Sequence, residues 1–133
     1  MTQLMKQTVA VLCGGALGAV CRVEAGRAVM NFMGVHFPLG ILCVNMLGSF
    51  LLGLFLGAIS RTKSGCPTAA AFVSTGFFGG FTTFSSFALD TLTLWESGSA
   101  MLALLNVGLN AALCIVLAGL GWTIAAPWRE KEA

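Results

Sequence analysis

Charged residues are scarce in this chain, and their scarcity excludes most soluble functions. Only 9% of the 133 residues are charged and 57% are hydrophobic, whereas a soluble domain has about 25% charged residues. The net charge is only +2 and the basic residues form no run, so we expect no nucleic-acid partner. We therefore predict a single transmembrane domain, residues 1–133, with the lipid bilayer as its surroundings.

Residue patterns of enzymes and metal sites are also missing. The only histidine is His36, the five cysteines form no CxxC pair, and the sequence contains neither a Ser/His/Asp set nor a phosphate-binding glycine loop. We predict that the protein is not an enzyme. The cysteines are interpreted as small buried apolar residues.

Long uncharged stretches separate the few charges, and each is long enough for a spanning helix of about 20 residues. We predict an all-α membrane protein with four transmembrane helices, at about residues 8–30, 38–59, 68–95 and 100–125. Four crossings place both termini on one side. Most lysines and arginines lie on that side, which favours cytoplasmic termini.

Glycines are dense within the predicted helices, at 17 in total. Three GxxxG spacings occur, and such faces let helices approach closely in lipid. We expect tight packing within the chain or between chains. Because four helices are few to enclose a polar path, we also expect an oligomer. The three spacings are Gly14 and Gly18, Gly53 and Gly57, and Gly76 and Gly80.

A few polar side chains lie at membrane depth. Asn45 is in helix 2, and Asn106 and Asn110 are one turn apart in helix 4. An unpaired polar group in hydrocarbon costs several kcal/mol, on the order of a lost hydrogen bond or more, so each is either an interhelical hydrogen bond or part of a functional site. Arg22 in helix 1 is either functional or an interfacial charge beside Glu24.

The sequence GFFGGFTTFSSF, residues 76–87, predicts an interruption of helix 3. Its glycines and threonines lie in the middle of an apolar stretch, and irregular backbone at that depth is tolerated where it is buried or lines a cavity. Unwound carbonyls there could bind a small cation. The alternative is a straight helix packed by glycine.

Phenylalanine is also dense in this segment and alternates with hydroxyl residues. The edge of an aromatic ring is positive, so ring edges beside Ser85 and Ser86 could hold a small, hard anion without a formal charge. Such a site would bind an ion weakly enough to release it, as conduction requires.

Three motifs in this order resemble the Fluc/CrcB family of fluoride ion channels. They are GGALGAVCR (residues 14–22), VNMLGSFLLG (44–53) and GFFGGFTTFSSF (76–87), and the resemblance covers nearly the whole chain. It implies a dual-topology, antiparallel homodimer in the inner membrane of a microbe. The implied function is passive, selective export of cytoplasmic fluoride, which protects the cell from fluoride toxicity.

The resemblance also implies residue roles. Backbone carbonyls of Gly79 and Thr82 match a structural sodium (Na⁺) site at the dimer centre, and Arg22 matches the arginine that closes the first motif. The residues that match the fluoride pore are Asn45, Thr83, Phe84, Ser85, Phe87 and Asn110.

Some positions depart from the family pattern. Asp90 stands where a glutamate is expected, Asn106 where a tyrosine is common, and Asn110 where a serine is frequent. These departures leave the prediction of a fluoride channel intact. They put in question only which residues helix 4 contributes to the pore lining. The charge bias towards one orientation also conflicts with dual topology.

Three other functions compete with a fluoride channel. A small four-helix, proton-coupled multidrug transporter would need an ionisable residue near the middle of helix 1, and Glu24 lies too near its end. A non-transporting membrane assembly subunit would explain the glycines but not Asn45 together with the Phe–Ser segment. A cation leak through the break in helix 3 is a weaker third possibility.

Overall fold

The computed structural model describes residues 1–33, 37–60 and 66–126, and these residues are helical with short connections. Three helices are long and apolar enough to cross a bilayer: α1 (Gln3–Met33), α2 (Leu39–Ile59) and α6 (Ala100–Ala125). The chain is thus a multi-pass membrane protein. His36 and most of the basic residues used to infer orientation lie outside the described residues.

The segment between α2 and α6 is divided into several helical pieces. They are α3 (Pro67–Ala70), a π-helix π1 (Ala71–Phe78), α4 (Gly79–Phe81) and α5 (Phe84–Glu96). Between α4 and α5, Thr82 and Thr83 are extended, with ψ angles of 155° and 125°. No single piece reaches the roughly 20 residues of a spanning helix.

Helix α1 is longer than the predicted 8–30, and its charges pair differently from the sequence interpretation. Arg27 Nη1 lies 3.2 Å from Glu24 Oε1 on the exposed face. Residues three apart share a helix face, whereas residues two apart do not. Glu24 is therefore the partner of Arg27 and not of Arg22.

Glycines bring α1 into backbone contact with the first part of the divided segment. A Cβ added at Gly14 would collide with the carbonyl of Phe72, and one at Gly18 with the carbonyl of Phe77. From the other side, Gly80 faces the backbone of Gly15. A larger residue at Gly14, Gly18 or Gly80 would push the two helices apart.

Helices α2 and α6 meet in the same way. Gly53 faces the carbonyl of Ala118, Gly57 faces that of Trp122, and Gly121 faces that of Phe50. The three predicted GxxxG spacings are therefore all occupied by contacts within one chain.

A glycine turn joins α5 to α6. Gly98 has a φ of 80°, which favours glycine because it has no Cβ. The Ser99 N–H donates to the Leu94 carbonyl (2.9 Å) and the Gly98 N–H to the Trp95 carbonyl (3.0 Å). This Schellman pattern ends α5 and returns the chain so that α6 packs beside it.

Candidate functional site

Asn45 of α2 binds the extended backbone at the start of α5. Its Nδ2 donates to the carbonyl of Thr83 (3.1 Å), and its Oδ1 accepts from the Thr83 N–H (2.8 Å). Both residues are 8% exposed. An asparagine carboxamide has donors on one side and an acceptor on the other, so this two-point contact fixes its orientation.

The four backbone carbonyls of residues 79–82 lose their helical donors at this point, and two of the missing donors bind elsewhere. In a continuous helix the Thr83 N–H would donate to the Gly79 carbonyl, and the Ser86 N–H to the Thr82 carbonyl. Instead, Thr83 N–H donates to Asn45, and Ser86 N–H donates to Thr83 Oγ1 (3.2 Å), which caps α5. The carbonyls of Gly79 and Thr82 are the two predicted to bind sodium.

The contact continues from Asn45 through two asparagines of α6. Asn45 Nδ2 donates to Asn110 Oδ1 (3.0 Å), and Asn110 Nδ2 donates to Asn106 Oδ1 (3.0 Å). Asn106 Nδ2 then donates to Thr91 Oγ1 in α5 (2.9 Å). The four buried polar residues of the described chain, Asn45, Thr83, Asn106 and Asn110, all belong to this network.

A cavity of about 620 Å³ opens beside this network. It is lined by five of the six predicted pore residues and by no charged side chain. Ser49 and Cys114, which follow Asn45 and Asn110 by one helical turn, line it as well, and so does Thr91, which sequence analysis did not single out. A signal for Thr91 exists, because it lies four residues after Phe87 and so on the same helix face. The five predicted residues are Asn45, Thr83, Phe84, Phe87 and Asn110.

Two phenylalanine rings bound the cavity. The rings of Phe84 and Phe87 have centroids 5.3 Å apart and an interplanar angle of 64°, and Phe84 is 80% exposed. In contrast, Phe78 and Phe81 are buried. The predicted phenylalanine-rich segment is therefore divided: rings before the extended residues fill the interior, and rings after them face the cavity.

Three hydroxyls cluster at the start of α5. Thr83 Oγ1 lies 3.2 Å from Ser85 Oγ and donates to Ser86 Oγ at 3.3 Å. Ser85, the sixth predicted pore residue, is exposed and is not in the lining of this cavity. Ser86 lines a second cavity.

The second cavity has a volume of about 450 Å³ and brings together Arg22, Arg27, Ser86 and Asp90. The Nε of Arg22 is buried and has no hydrogen-bond partner among the described residues. Arg27 is paired with Glu24, which leaves Arg22 and Asp90 as the other charged residues of the lining. The fold thus brings Arg22 and Asp90, which are 68 positions apart in the sequence, to one cavity.

No group of three or more His, Cys, Asp or Glu side chains that could hold a metal ion exists in the described ranges. A cation would therefore have to use carbonyl or hydroxyl oxygens.

Comparison with known proteins gives a consistent result. The family described as CrcB-like protein, Camphor Resistance (CrcB), matches residues 9–122. The fluoride-specific ion channel FluC of Aeromonas salmonicida is 40% identical over 116 residues, which cover 87% of this chain and 93% of the relative. The FluC of Magnetococcus marinus is 43% identical over 114 residues (86% and 93%). That of Citrifermentans bemidjiense is 36% identical over 121 residues (91% and 98%).

Proposed function

The chain belongs to the CrcB-like family, and we propose that it is a fluoride-selective channel that exports cytoplasmic fluoride passively. It is not an enzyme. The observation that carries the proposal is the cavity without charged side chains at the start of α5, which brings together the rings of Phe84 and Phe87 and the hydroxyl residue Thr83. Its relatives are named fluoride-specific ion channels.

In this proposal small anions are attracted first to Arg22, which lines the second cavity. Arg22 there has a buried N–H without a partner, which is a donor available to an anion. Ser86 lines this cavity, and its hydroxyl contacts that of Thr83, which lines the first cavity. The two hydroxyls therefore connect the arginines to the phenylalanine edges.

Fluoride suits this path because it is small and accepts strong hydrogen bonds. Ring edges and hydroxyls bind it without a fixed positive charge, so the ion is held and then released. An acidic exterior makes fluoride export necessary, because it drives fluoride into the cell as HF. HF enters the cell, loses its proton in the neutral cytoplasm and leaves fluoride trapped until a channel in the inner membrane releases it.

A second copy of the chain completes the pore in our proposal. Phe84 is exposed, and the first cavity opens on the chain surface. An added Cβ would meet no atom within 4 Å at Gly79, Gly108 or Gly119, so these glycines have no packing role within the chain. An antiparallel homodimer, as the family resemblance implies, would cover this face.

A structural sodium ion would use two of the four freed carbonyls, the pair that the family resemblance selects. Those of Gly79 and Thr82 lack their helical donors, and unwound carbonyls of this kind coordinate sodium in membrane transporters. Gly79 is exposed on the open face, so the carbonyls of two copies can face one another across the dimer centre. Bound there, a sodium ion would be coordinated by these carbonyl oxygens and would link the two copies.

The alternative functions are less well supported by the contacts. Glu24 is 68% exposed and paired with Arg27, which does not suit a proton-coupling residue of a multidrug transporter. An assembly subunit would use its GxxxG faces for a partner, but those faces pack within the chain.

Fluoride efflux from liposomes tests the proposed function. The purified protein is reconstituted, valinomycin carries the balancing potassium, and chloride is the control anion. We expect fast fluoride release with little chloride release. Absence of fluoride release from well-folded protein would refute the channel and favour an assembly subunit.

Two substitutions test the site in the same assay. Phe84→Ala and Asn45→Ala should each lower fluoride release at least about tenfold, which corresponds to a barrier higher by about 1.4 kcal/mol. Phe32→Ala is the matched control, because Phe32 is 88% exposed and lines neither cavity. If both site variants release fluoride at the wild-type rate, these residues are not part of the pore.

A further inference from the structure

The asparagines beside the first cavity donate their own N–H groups within the chain. Each carboxamide has two N–H donors. Those of Asn45 go to the Thr83 carbonyl and to Asn110 Oδ1. Those of Asn110 go to the carbonyl and the Oδ1 of Asn106, at 3.1 and 3.0 Å. Neither Asn45 nor Asn110 has an N–H left to give to an anion in this arrangement.

The orientation of each carboxamide depends on the next one. Reversing Asn110 would place its oxygen against two oxygens of Asn106 and its NH₂ against that of Asn45. Asn106 in turn is oriented by donation to Thr91 Oγ1 (2.9 Å). The Thr91 hydroxyl donates to the Phe87 carbonyl (2.8 Å), which leaves its lone pairs facing Asn106.

Because the asparagines are buried, each carboxamide has only one favourable orientation. Asn106 is 1% exposed and Asn110 is 7% exposed, so a misoriented carboxamide would leave polar atoms unpaired away from water. One end of the network is the N–H of Thr83, the N-cap of α5, and the other end is the carbonyl of Phe87 within α5. The network thus links the extended residues to one of the two cavity phenylalanines.

We propose that Asn106 and Thr91 are positioning residues for ion conduction. They orient Asn110 and Asn45, and Asn45 holds Thr83 extended so that its hydroxyl and the rings of α5 face the first cavity. This inference rests on the proposed channel function. It assigns fluoride coordination to hydroxyls and ring edges, and it assigns to the asparagines the task of holding that surface in place.

Thr91→Val tests the inference with little change in shape. It removes the acceptor for Asn106, and we expect fluoride release per active vesicle to fall about fivefold, the effect expected for one buried hydrogen bond. Thr91→Ser keeps the hydroxyl and should restore the wild-type rate. Thr93→Val is the matched control on the same helix, because the Thr93 hydroxyl is exposed and donates only to the Leu89 carbonyl (3.0 Å).

The fraction of vesicles that release fluoride separates positioning from folding. A folding defect lowers that fraction, whereas a positioning defect lowers the rate within active vesicles at an unchanged fraction. Equal rates for Thr91→Val and Thr93→Val would overturn the inference.

Side-chain amide exchange provides a readout that does not depend on conduction. The chain has four asparagines, and Asn31 is exposed, so it serves as the internal control. In protein labelled with ¹⁵N-asparagine, three side-chain amides should exchange slowly with D₂O. Thr91→Val should speed exchange at Asn106 first, and Thr93→Val should not. Three fast-exchanging amides in the wild type would overturn the network even if the protein conducts fluoride.

Discussion

The two parts of the divided segment, residues 67–81 and α5, are held in different ways. Residues 67–81 pack on α1 through glycine, with backbone against backbone. Helix α5 has no buried residue and is fixed by the hydrogen bonds of Thr83 and Thr91 to asparagines of α2 and α6. Close backbone contact with α1 positions residues 67–81. Hydrogen bonds to asparagines orient α5, and its rings and hydroxyls can therefore face a cavity.

Gly18→Ala should break the first part and has the largest expected effect. A Cβ at Gly18 would meet the Phe77 carbonyl and, at 2.8 Å, the Phe81 nitrogen. Since these are backbone atoms, α1 must move away, which we expect to cost about 3 kcal/mol. Thermal unfolding in detergent, followed by circular dichroism, measures this loss.

Gly15→Ala is the matched control on the same helix. A Cβ at Gly15 would lie 3.9 Å from the Gly76 carbonyl, an ordinary contact, so we expect unfolding close to that of the wild type. Equal stability of the Gly18→Ala and Gly15→Ala proteins would show that α1 is not held by close backbone approach.

Gly79→Ala tests whether the exposed end of residues 67–81 contacts a second copy of the chain. Nothing in the chain lies within 4 Å of a Cβ at Gly79, so the single-chain fold should keep its helix content. If a second copy and sodium occupy this face, the dimer should weaken. Native mass spectrometry should then show a larger share of 13.8 kDa monomer.

Sodium removal examines the same site without a mutation. Exchanging sodium for a large organic cation should lower the dimer's unfolding temperature, because an ion at about 100 times its Kd stabilises the bound state by about 2.7 kcal/mol. A monomer share that neither Gly79→Ala nor sodium removal alters would contradict the sodium-linked dimer.

Cys66 reports on the start of the first part and has the smallest expected effect. The backbone N–H groups of Ala69, and next Thr68, hold the pKa of this exposed thiol below its ordinary value. A lower pKa in the folded chain gives more thiolate at neutral pH. Alkylation of Cys66, followed by mass spectrometry, should therefore be faster in the folded than in the unfolded chain at pH 7.

The pH dependence provides the control for Cys66. Both states are thiolate above the ordinary thiol pKa, so the difference in alkylation rate should shrink as the pH rises through that range. A ratio that does not change with pH would mean that access, and not the helix N–H groups, sets the reactivity.

Sequence patterns predicted the apolar helices and the close glycine contacts, because both depend on composition within one helix. The family resemblance selected Asn45, Thr83 and Phe84 as pore residues, and the structure brings them to one cavity. The π-helix π1 could not be predicted, because its hydrogen-bond register depends on how residues 71–78 meet α1. The orientation of Asn106 towards Thr91 could not be predicted either, since it depends on partners in both α5 and α6.

The uncharged lining of the first cavity has an energetic consequence. Since no charged side chain lines the cavity, the proposed pore has no side-chain charge to reset between ions, and the electrochemical gradient of fluoride drives each ion across. One charge crossing 100 mV gains about 2.3 kcal/mol, which corresponds to a concentration ratio of about fiftyfold at equilibrium. A cell with a negative interior would thus keep its fluoride well below the outside level without consuming ATP or a proton gradient at the channel.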